Sequence, residues 1–557
     1  MGKKIGIDLG TTYSVVSYVD DTGIIVNVES SEGDKTTPSV VFFDPNGTDV
    51  VVGSGARDAG SMNPECLVER VKNYMGDPNY RIERNGTEFS ASAVSAIILK
   101  KLITDAETWL GGEDIDGAII TCPAYFGDAA KNATREAGEN VTLKNGQKLK
   151  VLRIIDEPTA AAVAYGNSCN EDMHKTVLIY DLGGGTFDCT IMKLDFEGSD
   201  KKYQVITTGG NHQLGGKDWD DALASYVRDE FCAATGCDAE AMKDDPECAA
   251  WFSEKIEKAK IALTQKQSTS LTPSFEGSKA KVEITREKFD EITRGLFDQT
   301  IYLVDQMLND KGMNIVTDID EIILVGGSTR MLQIEEGLQL HYNKPISKFD
   351  PDKAVSNGAA LVASGASLEE NLDMPPVMPA GGDAFGGFDS PSLGGGSTFE
   401  DKSGNTNQIV EVCTKSYCLR YYNGGKETFI NLVKKDEPKP AIGTTKTIIP
   451  GLVLGGGDSN GMTNEVALLI MENDSRDDHV ERENCVELYE EVPIMLAEPV
   501  SASSQVEIQL YVNISGELKL TLIETATGRQ YEMIPVRKGG DTNSIGMDAA
   551  TGFTLVG

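Results

Sequence analysis

Short apolar runs alternate with longer amphipathic segments over the first two thirds of the chain. Lys4–Leu9, Gly117–Thr121, Thr176–Asp181 and Glu321–Gly326 are five- or six-residue, largely apolar stretches, the length of buried strands rather than helices. Between them, Ser92–Leu110, Asp128–Ala137, Trp251–Gln265 and Arg286–Asn309 read as helices. In the last of these, Phe289, Ile292 and Leu296 recur at helical spacing. Strands alternating with helices predict an α/β domain.

The texture changes after residue 408. Val506, Ile508, Leu510 and Val512 alternate with other positions, Asn513-Ile-Ser-Gly516 supplies a turn, and Leu518, Leu520 and Leu522 alternate again. That is a hairpin pattern. Ile409–Val412, Thr428–Val433, Val466–Met471 and Val486–Tyr489 predict further strands. Together they predict an all-β sandwich over residues 408–540, with a tail at 541–557.

The α/β region, residues 1–368, is separated from the β region by residues 369–407. That stretch holds Pro375, Pro376, Pro379 and the pairs or triplets Gly381-Gly382, Gly386-Gly387 and Gly394-Gly395-Gly396. Such composition cannot build a core and reads as a linker.

Composition narrows the function classes. With 557 residues, the chain exceeds a single core. The formal net charge of −36 argues against nucleic-acid binding, which needs a basic surface. No apolar run is long enough to span a membrane, and the first residues lack a signal-peptide pattern. A cytoplasmic protein is expected. The ten cysteines include no Cys-x-x-Cys, and only four histidines are present. This argues against a zinc site and for reduced thiols.

Candidate chemistry comes from an internal echo. One apolar strand ends in Asp8-Leu9-Gly10-Thr11-Thr12, and another in Asp181-Leu182-Gly183-Gly184-Gly185-Thr186. Each is followed by a returning strand, Ser14–Val19 and Asp188–Leu194. The tip of such a hairpin offers backbone N–H groups and hydroxyls to phosphate oxygens. Glycine permits close approach there. Asp8, Asp181 and Asp188 suit hard cations of the kind that neutralise phosphates. Two copies in one α/β region predict a duplicated fold closing on a nucleotide. Gly215-Gly216-Lys217 resembles the end of a Walker loop, but Asn211 stands where its first glycine belongs.

The longer motifs carry a family resemblance over about residues 3–366. They are Gly6-Ile-Asp-Leu-Gly-Thr-Thr-Tyr-Ser14, Thr36-Thr-Pro-Ser39, Pro123-Ala-Tyr-Phe126, Asp156-Glu-Pro-Thr-Ala-Ala-Ala162, Asp181-Leu-Gly-Gly-Gly-Thr-Phe-Asp188 and Val325-Gly-Gly-Ser-Thr-Arg330. The chain resembles the heat shock 70 kDa (DnaK-like) chaperone family. The resemblance implies an α/β actin-like ATPase, made of duplicated ribonuclease-H-like lobes, followed by an all-β sandwich that grips extended apolar peptide segments. It implies ATP or ADP, magnesium and potassium as cofactors. It implies unfolded polypeptides, a J-domain co-chaperone and a nucleotide exchange factor as partners, with no nucleic acid and no membrane.

The resemblance also implies roles. Lys72 matches the catalytic lysine near the γ-phosphate; read alone, it is a solvated lysine. Glu157 and Asp181 match residues positioning the attacking water and hydrated magnesium. Thr11 and Thr186 match hydroxyls near the γ-phosphate, and Asp8, Asp181 and Asp188 match residues around cations. Gly10, Thr12, Tyr13, Gly183, Gly184 and Gly185 line the phosphate turns. On the adenosine side stand Gly326, Gly327, Ser328, Arg330 and Asp352, with Glu257, Lys260 and Thr264 on one helix face. By helix reading alone, Glu257 and Lys260 are equally a surface ion pair. Ile261 departs from the family, some members of which place an adenine-stacking arginine there.

Two further departures concern the second half. The short acidic-leucine linker of the family is not visible; Leu368-Glu-Glu-Asn-Leu-Asp-Met374 stands in its place, with Leu372 as a partial substitute. The family's helical lid is expected to be absent. Three functions follow in order: an ATP-dependent peptide-binding chaperone, an ATP-regulated scaffold for one client, and a small-molecule kinase on the same fold.

Overall fold

A computed structural model describes residues 2–366, 396–535 and 544–555, apart from 46, 48, 170, 403, 424–425, 449–461 and 502–504. The stretch at Leu368–Met374 and the proline and glycine clusters up to Gly395 lie outside the described residues. The chain divides into two compact units. The first comprises Met1–Leu368, Phe399–Asn407 and Asn543–Gly557; the second comprises Glu369–Thr398 and Gln408–Thr542.

The first unit contains two sheets of matching design. In one, the strand order is Val151–Asp156, Ile115–Cys122, Lys3–Asp8, Tyr13–Val19, Ile25–Asn27. In five consecutive strands of the other, a seven-stranded sheet, it is Ile346–Lys348, Glu321–Val325, Met173–Leu182, Phe187–Glu197, Asp200–Asn211. In both, the first three strands pair in parallel and the next two return antiparallel. The echo in the sequence is therefore an echo of whole sheets. Buried apolar residues form a separate core in each lobe, one around Ile5, Ile7 and Ile120, the other around Leu178, Tyr180 and Ile322. The helices Glu157–Ser168 and Ala354–Gly365 pack closely. A Cβ on Gly358 would stand 1.7 Å from the Ala160 carbonyl oxygen, so only glycine allows this approach.

The helix expected from Trp251 begins five residues earlier, at Pro246. Asp245 caps it by accepting from the Cys248 N–H at 2.8 Å, and proline at the first position costs no hydrogen bond. Phe399–Asn407, at the end of the glycine-rich stretch, belongs to the first unit: the Thr406 N–H donates to the Ser199 oxygen at 2.9 Å, and Lys402 Nζ donates to the Asp20 oxygen at 2.5 Å.

The second unit is β-rich. Two four-stranded sheets and a two-stranded sheet share one apolar core. The hairpin Gln505–Val512 with Leu518–Glu524 holds the expected register, Leu510 opposite Leu520, around a turn with Gly516 at φ 91. The strand expected at Val486–Tyr489 is not formed. Cys485 and Tyr489 are both buried while Val486 is exposed, as alternation requires, but the stretch follows directly on the 3-10 turn Arg482–Asn484 and makes no continuous ladder. Val486 makes an isolated bridge to Glu472.

Candidate functional site

The two Gly/Thr turns meet. A Cβ on Gly184 would stand 1.9 Å from Thr12 Oγ1, and one on Gly185 would stand 2.7 Å from Thr11 Cγ2. Each turn is braced from behind. The Ser39 N–H donates to the Thr12 oxygen at 2.9 Å, and the Gly10 N–H donates to Ser14 Oγ at 3.2 Å. Around the second turn, the Gly216 and Lys217 N–H groups donate to the Gly183 and Gly184 oxygens at 2.9 and 2.8 Å. Ser328 Oγ donates to the Gly183 oxygen at 2.9 Å. Gly215 and Gly216, dismissed as a Walker fragment, thus support the second turn by close packing. A Cβ on Gly215 would fall 2.4 Å from Gly185.

Beneath the turns lies a buried charge cluster. Lys72 Nζ donates to Glu157 Oε1, and the pair is almost wholly enclosed. Lys72 is carried by the Val71–Tyr74 turn, and Glu157 opens the Glu157–Ser168 helix. Burial works to lower the Lys72 pKa, but the charges of Glu157 and Asp8 outweigh it and hold the ammonium charged. The solvated-lysine reading is therefore replaced by a buried one.

Asp8, Asp181 and Asp188 complete the cluster. Asp181 and Asp188 face each other across adjoining strands. Burial, then the Glu157 charge, pushes the Asp8 carboxyl up to about 7. The same two causes raise Asp181 and Asp188 well above the ordinary carboxylate range. Asp188 Oδ1 is buried with no hydrogen-bond partner, as is Asn73 Oδ1. One lysine does not balance four carboxylates, and an orphaned buried oxygen is costly. An all-oxygen, electron-rich set of this kind fits a hard divalent cation. Among the described residues no three acidic, His or Cys side chains converge as a direct metal cage. Such an oxygen-rich set also suits an ion that keeps its water shell, as magnesium does.

The residues that the resemblance assigns to the adenosine side are placed unevenly. Gly326, at φ 83, lies so close to Asp181 that a Cβ would stand 2.4 Å from its Oδ1. Arg330 Nε donates to Asp352 Oδ1 at 3.5 Å, and a Cβ on Gly327 would stand 3.1 Å from that oxygen. Lys260 pairs with Asp220 at 2.9 Å and donates to the Gly216 oxygen at 2.9 Å. Glu257 instead meets Tyr13 and Arg57. The surface pair open to helix reading is not what forms. Thr264 Oγ1 is turned back on its own helix, to the Ile261 oxygen at 2.8 Å, and Ile261 is exposed.

Sequence reasoning missed Arg57 and the buried pair Lys131–Asp156, 2.6 Å apart beside Glu157. Asp156 was legible as part of its motif, but nothing in the spacing signals its partner.

Comparison with known proteins gives the family. A family model described as Hsp70 protein matches residues 4–381. The chain belongs to the Hsp70 family. Chaperone protein DnaK of Thermotoga neapolitana is 40% identical over 368 residues, 65% of this chain and 59% of that protein. The DnaK of Thermotoga maritima matches to the same extent. The DnaK of Thermosipho melanesiensis is 37% identical over 435 residues, 75% of this chain and 70% of that protein. The chain spans 59% of the length of the Thermotoga relatives it matches. No helix among the described residues is long and apolar enough to cross a membrane.

Proposed function

We propose that this Hsp70-family chain hydrolyses ATP between its two facing turns and uses that cycle to bind and release extended apolar segments of client polypeptides. The observation that carries the reading is the contact of the two turns, with Gly184 lying against Thr12 above the Lys72–Glu157 pair. Backbone N–H groups of Thr11 and Thr12 and of Gly184 and Gly185 would cradle the β- and γ-phosphates, the Gly10 and Gly183 N–H groups being bonded within their own turns. Gly326, Gly327, Ser328, Arg330 and Asp352 would take the adenosine end, with Glu257, Lys260 and Thr264 on the facing helix.

Lys72 would stabilise charge on the γ-phosphoryl oxygens, and the Thr11 and Thr186 hydroxyls would orient that group. Glu157 would accept a hydrogen bond from the attacking water and hold it in line, assisted by Asp181. Alignment and charge stabilisation suffice, because phosphoryl transfer to water needs no covalent intermediate. A magnesium ion, when bound, neutralises phosphate charge; Asp8, Asp181 and Asp188 would hold its water shell, and potassium suits the same oxygen-rich surroundings. The β unit would supply the peptide site. A J-domain co-chaperone and an exchange factor are the expected partners.

Phosphate release under single-turnover conditions tests the site. Lys72→Ala should lower the hydrolysis rate about 10²-fold or more while nucleotide still binds. Equal rates would sink the assignment. Affinity for an extended apolar peptide should fall when ATP replaces ADP; an unchanged affinity would remove the chaperone cycle but leave the ATPase.

A further inference from the structure

The last described residues are not part of the β unit. After the Gln530–Met533 strand, the chain returns to the first unit. There Met547–Gly552 forms a short helix, and Thr554–Leu555 pairs in parallel with Asp49–Val52, Leu555 opposite Val50. Met547 and Ala550 are buried in the first-lobe core. The Phe553 ring meets Phe43 and Phe89 at centroid separations of 5.6 and 5.7 Å. The Ser90 N–H donates to the Ile545 oxygen at 3.0 Å, and Lys100 Nζ donates to the Phe553 oxygen at 2.7 Å. Gly546, at φ 76, lies where a Cβ would stand 2.3 Å from the Glu88 oxygen. Backbone pairing, a seated aromatic ring and an obligatory glycine are the elements of strand addition to a sheet edge.

We propose that the first lobe carries a strand-adding peptide groove, and that its resident ligand is this chain's own 544–555 segment, held there reversibly. Reversibility follows from scale. The segment contributes two strand residues, a helix of six and the core side chains Met547 and Ala550, against a lobe core otherwise assembled from residues between Ile5 and Ile154. Small appended elements open locally far more easily than the core they rest on. The covalent path adds a consequence. Residues 408–542 leave the first unit after Asn407 and re-enter it at Asn543, so the β unit is anchored at both ends.

The groove also sits upstream of the nucleotide. The strand it extends, Asp49–Val52, runs through Gly53 directly into the Ser54–Gly60 helix that carries Arg57. Arg57 in turn contacts Tyr13 and Glu257. An empty groove leaves an unpaired sheet edge, loosens the base of that helix, and should speed nucleotide release. This consequence rests on the ATPase reading; the groove itself does not.

Hydrogen exchange on the intact chain tests the groove first. The amides of Phe553 and Leu555 should exchange at least tenfold faster than those of Ile119 and Ile120 in the same lobe. Exchange only through global opening of the lobe would overturn reversibility. Phe553→Asp should raise exchange at Val50 and Val52 at least tenfold, and a synthetic 544–555 peptide added in trans should restore protection. Unchanged exchange at Val50 would overturn the groove, as would a dimer carrying exchanged segments. If Phe553→Asp does not fold, the native-chain comparison still decides. ADP should leave Phe553→Asp at least threefold faster. An unchanged rate alongside faster exchange at Val50 would overturn the coupling, whereas failure of the native chain to bind ADP would count against the ATPase reading alone.

Discussion

Arg57 reaches Glu257, its Nη1 lying 3.5 Å from Oε2. Tyr13 sits between them: its hydroxyl accepts from Arg57 at 2.8 Å and donates to Glu257 at 3.2 Å. The guanidinium also lies over the Tyr13 ring, 4.9 Å from its centre. Since Tyr13 ends the first Gly/Thr turn and Glu257 lies on a second-lobe helix, this triad bridges the two lobes across the cleft proposed for the nucleotide. Both charged side chains remain more than a quarter exposed, so the clasp is weak and reversible, about 1 kcal/mol after solvent screening.

Removing it should therefore change a rate rather than abolish a function. Arg57→Ala should speed ADP dissociation by about fivefold, the equivalent of ~1 kcal/mol. Raising salt should reduce the difference from wild type, because an exposed pair is screened. Stopped-flow release of a fluorescent ADP analogue measures both. An unchanged rate would show that the cleft is closed by the bound nucleotide itself.

The carboxylate cluster predicts a proton-linked cation site. Asp8 is pushed up to about 7, above its ordinary value of 3.8. A raised carboxyl pKa means that the folded state holds its proton more tightly than the unfolded chain. Its contribution to stability is fully present below about pH 4 and is lost as pH rises through about 7. The nucleotide-free protein should lose less stability between pH 5 and pH 8 when Asp8 is replaced by Asn, as read from denaturation midpoints. Binding of magnesium and ADP near pH 6.5 should release protons, visible as a dependence of calorimetric heat on the buffer's ionisation enthalpy. Equal pH slopes for wild type and Asp8→Asn would refute the linkage.

Two glycines give opposite expectations from the same substitution. Gly184→Ala would drive a methyl group to 1.9 Å from Thr12 Oγ1, and the β-branched threonine has little room to yield. The turns must separate, and ATP turnover should fall about 10²-fold, the usual cost of a displacement near 1 Å. Gly295 lies inside the Arg286–Asp310 helix, and nothing stands within 4 Å of a Cβ there. Gly295→Ala should raise stability by about 0.5–1 kcal/mol with turnover unchanged. Single-turnover rates and thermal melts separate the two; loss of turnover in Gly295→Ala would show a dependence on helix flexibility that the static packing does not contain.

What was legible in the sequence follows from locality. Asp8 to Thr12 and Asp181 to Thr186 are contiguous, so strand, turn and cation-side carboxylate could be read together. The hairpin around Asn513–Gly516 was legible for the same reason. Lys72 and Glu157 could be nominated only by motif, because their pairing is made by folding and neither helix period nor strand alternation encodes it. Arg57 lay beyond reach: it stands on a seven-residue helix with no side-chain cap, and its partners come from distant elements. The return of Ile545–Leu555 to the first lobe was equally hidden. Two alanines, two glycines and one phenylalanine carry no periodicity strong enough to betray their groove.

The β unit offers the last test, of whether the two cores act separately. Leu510 is fully buried in the core of the second unit, opposite Gly443 on one strand and Leu520 on the other. Gly443 is itself pressed against the Leu432 oxygen, where a Cβ would stand 1.8 Å away, so the site cannot easily collapse. Leu510→Ala should cost about 2–5 kcal/mol, toward the upper end because the cavity persists. The first unit shares none of these contacts in its own cores. Calorimetry should show one transition lowered and the other unmoved, with basal ATP turnover retained and peptide binding reduced. A single transition carrying the whole shift would mean that the β unit unfolds together with the lobes.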